Sequence, residues 1–238
     1  MNAVEDIVSP QLADDPALPF TDHLIELRRR VIAALLIWGV GSAAFFEYSD
    51  RFLDWIARPA GQLVFIAPAE AFHTRMKLAL YGGLLLTLPL LLHQVWLFVA
   101  RALDRRWRRR LLAMVPVSYG LFMAGVALGI FVVVPAAMRF FLSYGSAGVK
   151  PFISLSAYLG LVETLSLAFG AVFQFPLVLY ILDWMGILEK KQLEPHRRVV
   201  YLAWFIVSAL LAPDVVGQVC LAACAIVLFE LSLSAMRR

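Results

Sequence analysis

Apolar runs long enough to cross a lipid bilayer constrain the fold of this chain more than any other feature. They lie at residues 31–46, 76–100, 111–134, 156–184, 199–212 and 215–235. A helix needs about 20 residues to cross the roughly 30 Å of hydrocarbon in a membrane. The sequence therefore predicts an all-α, polytopic membrane protein with six transmembrane helices.

Composition supports a chain whose outer surface faces lipid. Of its 238 residues, 62% are hydrophobic and only 16% are charged. A soluble domain has about 45–50% apolar and about 25% charged residues. The net charge of +4 comes from short basic clusters between the apolar runs. Such clusters are typical of membrane topology, so we expect no nucleic-acid partner.

The two shortest runs leave the topology partly open. Residues 31–46 carry flanking arginines whose side chains can snorkel to the interface. Residues 199–212 comprise only 14 residues, and a tight turn at Pro213 and Asp214 follows them. The last two runs therefore form either two short spans or a re-entrant hairpin. Both alternatives return the C terminus to the same side of the membrane.

The distribution of basic residues predicts the orientation. With the N terminus inside, 15 of the 21 lysines and arginines lie on the cytoplasmic side. Since cytoplasmic loops carry such an excess, we expect both termini in the cytoplasm. Residues 1–22 are polar and acidic and contain three prolines. They predict a disordered cytoplasmic arm, followed by one transmembrane domain at residues 23–238.

Two polar residues in the fourth run are candidates for function because polar groups are costly at membrane depth. Glu163 and Gln174 are 11 residues apart. At about 100° per residue, a continuous helix brings them within about 20° of one face. This spacing predicts an intramembrane polar groove. The alternative is that each residue only hydrogen-bonds a neighbouring helix and holds the bundle together.

The sequence offers no pattern for covalent catalysis or metal binding. Its four histidines are scattered over different segments, and Cys220 and Cys224 lie on one helix face inside an apolar run. We interpret the cysteines as small fillers of a helix interface. We therefore expect no catalytic residue, no metal and no cofactor.

Glu26 is the remaining outlier, since it lies just before the first apolar run in the segment HLIELRRR at residues 23–30. Taken alone, it is explained as a charge at a helix start, paired with Arg29 or Arg30. Further motifs follow in order: AEAFHTRMKLAL at 69–80, LPLLLHQVWLFVARAL at 88–103, AYLGLVETLSLAFGAVFQFPLVL at 157–179 and APDVVGQ at 212–218. Together they resemble the TatC family, the C subunits of twin-arginine protein translocases, over residues 20–235.

The resemblance implies a concave six-helix bundle in the bacterial inner membrane. Such proteins bind twin-arginine signal peptides at the cytoplasmic face and pass folded proteins across the membrane using the proton-motive force. The implied partners are TatA- and TatB-type single-span subunits, the lipid bilayer and further copies of the chain. The signal-peptide residues expected from the resemblance are Glu26, Leu27, Arg28 and Phe98, with Asp104 as a weak substitute for the family's second carboxylate. The implied external-loop and partner contacts are Pro59, Asp214 and Gln218.

The chain departs from the family pattern at several of these positions. Trp107 stands where the family has a second recognition carboxylate, and Gln174 replaces a glutamate. The first cytoplasmic loop holds six arginines and one acid, Asp104, a field that repels a twin-arginine peptide.

Three hypotheses follow from these departures. The first is a divergent but active receptor that depends mainly on Glu26. The second is a paralogue that assembles with Tat partners but does not recognise cargo. The third is a small-molecule transporter that uses Glu163 and Gln174.

Overall fold

The computed structural model describes residues 20–61, 63–101, 113–145, 152–188 and 190–236. Over these ranges the chain is helical, which confirms the all-α prediction; one isolated bridge joins Val64 to Ser154. The helices are α1 (Phe20–Phe46), α2 (Ser49–Ala57), α3 (Pro68–Arg101), α4 (Val115–Leu128), α5 (Val134–Leu142), α6 (Leu155–Val172), α7 (Phe175–Trp184), α8 (Lys190–Leu193), α9 (Arg197–Leu211) and α10 (Val215–Ala235).

Five helical stretches of the described residues are long and apolar enough to cross a membrane. They are Leu24–Phe46, Pro68–Val99, Val115–Leu142, Leu155–Trp184 and Val215–Ala235. The predicted fifth run corresponds to α9, which has only 15 residues. The six-span count and the cytoplasmic position of both termini therefore stay predictions.

The first two spans begin earlier than hydropathy predicted. Helix α1 starts at Phe20, so residues 20–22 of the predicted arm are helical, while residues 1–19 lie outside the described ranges. Helix α3 starts at Pro68 rather than near residue 76. Proline suits the first helical position, where its missing N–H is not needed, and Glu70 in the first turn favours a helix N terminus. A prediction based on runs of apolar residues does not detect helix ends of this kind, which lie outside the runs.

The third span extends past its predicted end at residue 134. A five-residue π-helical segment, Gly129–Val133, joins α4 to α5, and the helix continues through Pro135 to Leu142. The wider turn of a π segment interrupts the regular bonding ladder, so Pro135 enters the helix without breaking it. The predicted start near residue 111 lies outside the described ranges.

The predicted fourth span at 156–184 is confirmed as the stretch Leu155–Trp184, which contains a two-residue turn at Phe173 and Gln174 between α6 and α7. Pro176 is the second residue of α7. Its ring clashes with the carbonyl four residues earlier and it has no N–H to donate, which breaks a regular helix at this point.

Helix α6 forms the centre of the bundle. Its side chains at Val162, Leu165 and Phe169 are fully buried against neighbouring helices. A Cβ atom at Gly125 of α4 would lie 2.5 Å from the carbonyl oxygen of Phe169. The backbones of α4 and α6 are therefore in direct contact, a packing that only a glycine allows.

Helix α1 packs along α3 in antiparallel orientation. Gly41 and Ser42 lie opposite Gly83, where an added Cβ would meet the Ser42 backbone at 2.4 Å. Toward the start of α1, Arg30 reaches Gln94 near the end of α3. In lipid, small residues of this kind allow the close helix approach that holds two spans together.

Candidate functional site

Glu26 forms a buried ion pair at the start of the first span. The residue is only 8% exposed, and Arg30 Nε donates a hydrogen bond to Glu26 Oε1 at 2.6 Å. The two residues are four apart and so lie on the same face of α1. Of the two partners expected from the sequence, the structure assigns Arg30. A carboxylate shielded from solvent interacts more strongly with a guanidinium than an exposed one does.

Gln94 connects this ion pair to the second span. Arg30 Nη1 donates to Gln94 Oε1 at 2.7 Å, so one guanidinium joins Glu26 on α1 to α3. Because the two helices are antiparallel, the residue four positions before Arg30 on α1 lies opposite the residue four positions after Gln94 on α3. Glu26 therefore lies at the level of Phe98, which is half-buried.

Exposed apolar residues flank Glu26 in sequence and cover the face of α1 turned away from its buried carboxylate. Leu24, Ile25 and Leu27 are exposed, and so is the neighbouring Arg28. Of the predicted signal-peptide residues, the structure therefore places Glu26, Leu27, Arg28 and Phe98 in one region at one end of the α1–α3 pair. Asp104, like Trp107 and the arginines around it, lies outside the described ranges.

Gln174 occupies the turn between α6 and α7, and both the oxygen and the nitrogen of its side-chain amide are hydrogen-bonded. Ser118 Oγ donates to Gln174 Oε1 at 2.5 Å, and Gln174 Nε2 donates to the Ser118 carbonyl at 2.9 Å. Both residues line a cavity of about 430 Å³ whose other walls are apolar side chains of α3 and α7, including Trp96. The pair holds α4 against the α6–α7 turn, which is the structural role that the sequence left open.

Glu163 lines a different cavity from Gln174, so the structure does not bring the two residues predicted for one polar groove into the same pocket. This cavity, of about 240 Å³, is lined by residues of α1, α3 and α6: Trp38, Lys77, Leu80, Tyr81, Leu84, Glu163 and Leu167. The prediction extended a rotation of about 100° per residue along one continuous helix. The turn at Phe173 and Gln174 interrupts that rotation.

The predicted partner contacts separate into two places. Asp214 is buried and begins α10, where its Oδ2 accepts a hydrogen bond from the Gly217 N–H at 2.6 Å. Gln218 follows on the same first turn, its N–H donating to the Asp214 carbonyl. Pro59 is exposed in a short 3₁₀ segment, Arg58–Ala60, and lines a cavity beside Tyr158.

Among the described residues, no three histidine, cysteine, aspartate or glutamate side chains are grouped as metal ligands would be. Cys220 and Cys224 are both free thiols on α10. The part of the chain that the structure describes therefore offers no candidate metal centre.

Three residues of these sites were not predicted as functional. Gln94 is part of the family-like motif at residues 88–103, which also contains Pro89, Trp96 and Phe98. The motif marks the residue, but it does not predict the hydrogen bond to Arg30. Ser118 and Lys77 had no such signal. Each matters through a partner on a distant helix, which one sequence does not reveal.

Comparison with known proteins identifies the family of the chain. The family model described as "Sec-independent protein translocase protein (TatC)" matches residues 22–223. The chain is 34% identical over 226 residues to a Sec-independent protein translocase protein TatC of Carboxydothermus hydrogenoformans, covering 92% of this chain and 93% of that protein. It is 31% identical to the corresponding protein of Aquifex aeolicus, covering 91% of this chain and 93% of that protein.

Solved structures show the same fold. A crystal structure of the twin-arginine translocase receptor TatC in DDM matches with a TM-score of 0.81 and 30% identity, covering 91% of this chain and all of that chain. A second TatC receptor structure matches with a TM-score of 0.78 and 31% identity, covering 89% of this chain and 96% of that chain. The sequence motifs, the helical bundle and these matches together establish that the chain belongs to the TatC family of Sec-independent protein translocases.

Proposed function

We propose that this TatC-family membrane protein is the receptor subunit of a twin-arginine translocase in the bacterial inner membrane. It binds twin-arginine signal peptides at the cytoplasmic face and serves transport of folded proteins driven by the proton-motive force. The observation that carries the proposal is the buried carboxylate of Glu26 at the end of the α1–α3 pair, which Arg30 bonds while the same guanidinium donates to Gln94.

The chemistry of this region matches the two parts of a signal peptide. A guanidinium forms strong charge-assisted hydrogen bonds to a carboxylate that is shielded from water. Leu24, Ile25 and Leu27 are exposed on the outer face of α1 within two residues of Glu26 and provide an apolar surface for the hydrophobic segment that follows the arginines. Charge and apolar surface lie on the same short stretch of α1.

The orientation and the partners complete the proposal. The excess of basic residues on one side supports a cytoplasmic N terminus, which puts Glu26 at the face where precursors arrive. TatA- and TatB-type subunits and further copies of the chain assemble with it. The proposed external contacts for these partners lie on the side of the membrane opposite to Glu26. They are Pro59, Asp214 and Gln218.

The direct test replaces the carboxylate. In Glu26→Gln the side chain keeps its shape but loses its charge, so the peptide guanidinium loses a charge-assisted bond of about 1.5–3 kcal/mol. We expect crosslinking of a photoreactive twin-arginine peptide to fall about tenfold or more. The matched control is Glu47→Gln, an exposed carboxylate just past the other end of α1. Equal crosslinking of Glu26→Gln and the unchanged chain would contradict the proposal.

A complementation assay separates an active receptor from a paralogue that only assembles. The chain is expressed in a bacterium that lacks its own C subunit, and export of a folded twin-arginine reporter is followed. Rescue is expected for an active receptor. Normal membrane insertion and normal partner assembly without export would instead indicate the paralogue, and Trp107→Glu would then test the missing second carboxylate.

The transporter hypothesis loses its structural basis. It required Glu163 and Gln174 to share one site, and the two residues line separate cavities. Substrate uptake by liposomes containing this chain alone would be the result that restores it.

A further inference from the structure

Helices α3 and α6 run parallel, and two contacts fix their register. Near their starts, Ser154 Oγ donates to Glu70 Oε1 at 2.7 Å. About three turns later, the hydroxyls of Tyr81 and Ser166 lie 2.8 Å apart. The paired residues are 84 and 85 positions apart in sequence, respectively, so the helices stay in step between the two contacts.

Lys77 and Glu163 fall between these contacts at the same level. They are 86 positions apart, as are Glu70 and Ser156, which also form a hydrogen bond. Both line the cavity of about 240 Å³ beside Trp38. The cavity is therefore lined by an ammonium from α3 and a carboxylate from α6 at the same level.

The carboxylate in this cavity lacks a donor. Glu163 Oε1 is buried and, within the described part of the chain, has no hydrogen-bond partner. A buried acceptor without a donor costs about 1–3 kcal/mol, and more when the group is charged. The cavity is several times the roughly 30 Å³ that one water occupies, so a single bridging water does not fill it.

The two charges lie at one level, just inside the edge of the hydrocarbon core and within reach of the headgroup region. Lys77 is nine residues from the start of the span Pro68–Val99, and Glu163 is eight residues from the start of Leu155–Trp184. These spans of 32 and 30 residues exceed the roughly 30 Å of hydrocarbon. When each is centred, both residues lie about 4–5 Å inside the hydrocarbon boundary. Trp38, a residue type that favours this interface, lines the same cavity.

We propose that Lys77 and Glu163 bind the headgroup of a zwitterionic phospholipid that carries a primary ammonium, the class of phosphatidylethanolamine. The phosphate pairs with Lys77, and the ammonium donates to the unpartnered oxygen of Glu163. A choline headgroup has no N–H to donate, and a glycerol headgroup has no positive charge for the carboxylate. The site thus selects among lipids by charge and by hydrogen-bond donors, independently of signal-peptide binding.

The first experiment uses the unchanged full-length chain. It is reconstituted in nanodiscs with equal amounts of ethanolamine, choline and glycerol phospholipids of identical acyl chains, and retained lipids are counted by native mass spectrometry after extraction into detergent. We expect one ethanolamine lipid to be retained about tenfold over the choline lipid, as one charge-assisted bond predicts. Equal retention of the two lipids overturns the proposal.

Variants then assign the site. Glu163→Gln is expected to abolish the preference for ethanolamine over choline, whereas Lys77→Met lowers retention of all three phospholipids. Asp54→Asn, an exposed carboxylate on α2, is the control and keeps the preference. An ethanolamine preference that survives Glu163→Gln places the lipid elsewhere. Crosslinking of a partner subunit's helix to this cavity, with no lipid preference, assigns the cavity to that helix and also overturns the proposal.

Discussion

Among the candidate spans, the one that contains α6 is the most buried and the one formed by α1 is the least buried. Half of the most apolar window of the α6–α7 span is buried, against 11% for the α1 span. Helix α6 contacts α3, α4 and α10, whereas α1 packs mainly against α3. Lipid tails are as apolar as leucine, so no hydrophobic force drives α1 onto the bundle. The helix that carries Glu26 is therefore held by close backbone approach and a few polar bonds.

The largest effect is expected where α4 meets α6. In Gly125→Ala the new methyl group lies 2.5 Å from the Phe169 carbonyl oxygen and 2.9 Å from Gly170 Cα, both backbone atoms. The helices must separate, which costs about 3 kcal/mol of unfolding free energy. Unfolding in mixed SDS micelles measures this loss. Gly120→Ala is the control, because no described atom lies within 4 Å of its added Cβ; equal stability of both variants would refute central packing on Gly125.

A smaller effect is expected at the α1–α3 contact. In Gly41→Ala the methyl group meets Thr87 Cγ2 at 2.2 Å, a side-chain atom, while the nearest backbone atom, the Gly83 oxygen, is 3.3 Å away. We expect a loss of about 1 kcal/mol, seen mainly as greater accessibility of cysteines placed on α1. Gly39→Ala has open space around its Cβ among the described atoms and serves as control. A loss as large as that of Gly125→Ala would show that α1 is held as firmly as α6.

The smallest effect concerns a single hydrogen bond between α3 and α6. Tyr81→Phe removes the bond to Ser166 Oγ, but that hydroxyl also donates to the Val162 carbonyl and stays satisfied. Interhelical bonds in membranes contribute about 0.6 kcal/mol on average. A double-mutant cycle with Ser166→Ala measures the coupling, and Tyr180→Phe, on the exposed face of α7, is the control. A coupling above about 2 kcal/mol would make this bond a main determinant of stability.

The sequence predicted those elements whose signals are local. The last helix has the expected bounds, since Pro213 and Asp214 form a turn and Asp214 caps α10. The hydropathy pattern missed the start of α3 because Pro68 and Glu70, which favour a helix start, lie before the apolar run. The turn at Gln174 was missed because an apolar run does not show where Pro176 breaks it.

The candidate site was predicted in its residues but not in its connections. Glu26 was identified, and Arg30 was one of two expected partners. The bond from Arg30 to Gln94 joins residues 64 positions apart, and no local pattern predicts such a pair. Lys77 and Glu163 are likewise neighbours only because Glu70 and Tyr81 fix the register of two separate helices.

Because Arg30 is already paired with Glu26, an incoming peptide arginine must replace the Arg30 guanidinium to reach the carboxylate. Arg30 already occupies the carboxylate as a tethered competitor, at an effective concentration that a free arginine in solution does not reach. Under the proposed receptor function, a signal peptide displaces Arg30 by adding a second contact, its apolar segment on the exposed Leu24, Ile25 and Leu27. When the peptide leaves, Arg30 would return to the carboxylate, so Glu26 would not be left as a bare buried charge. Such an exchange would favour whole peptides over isolated arginines.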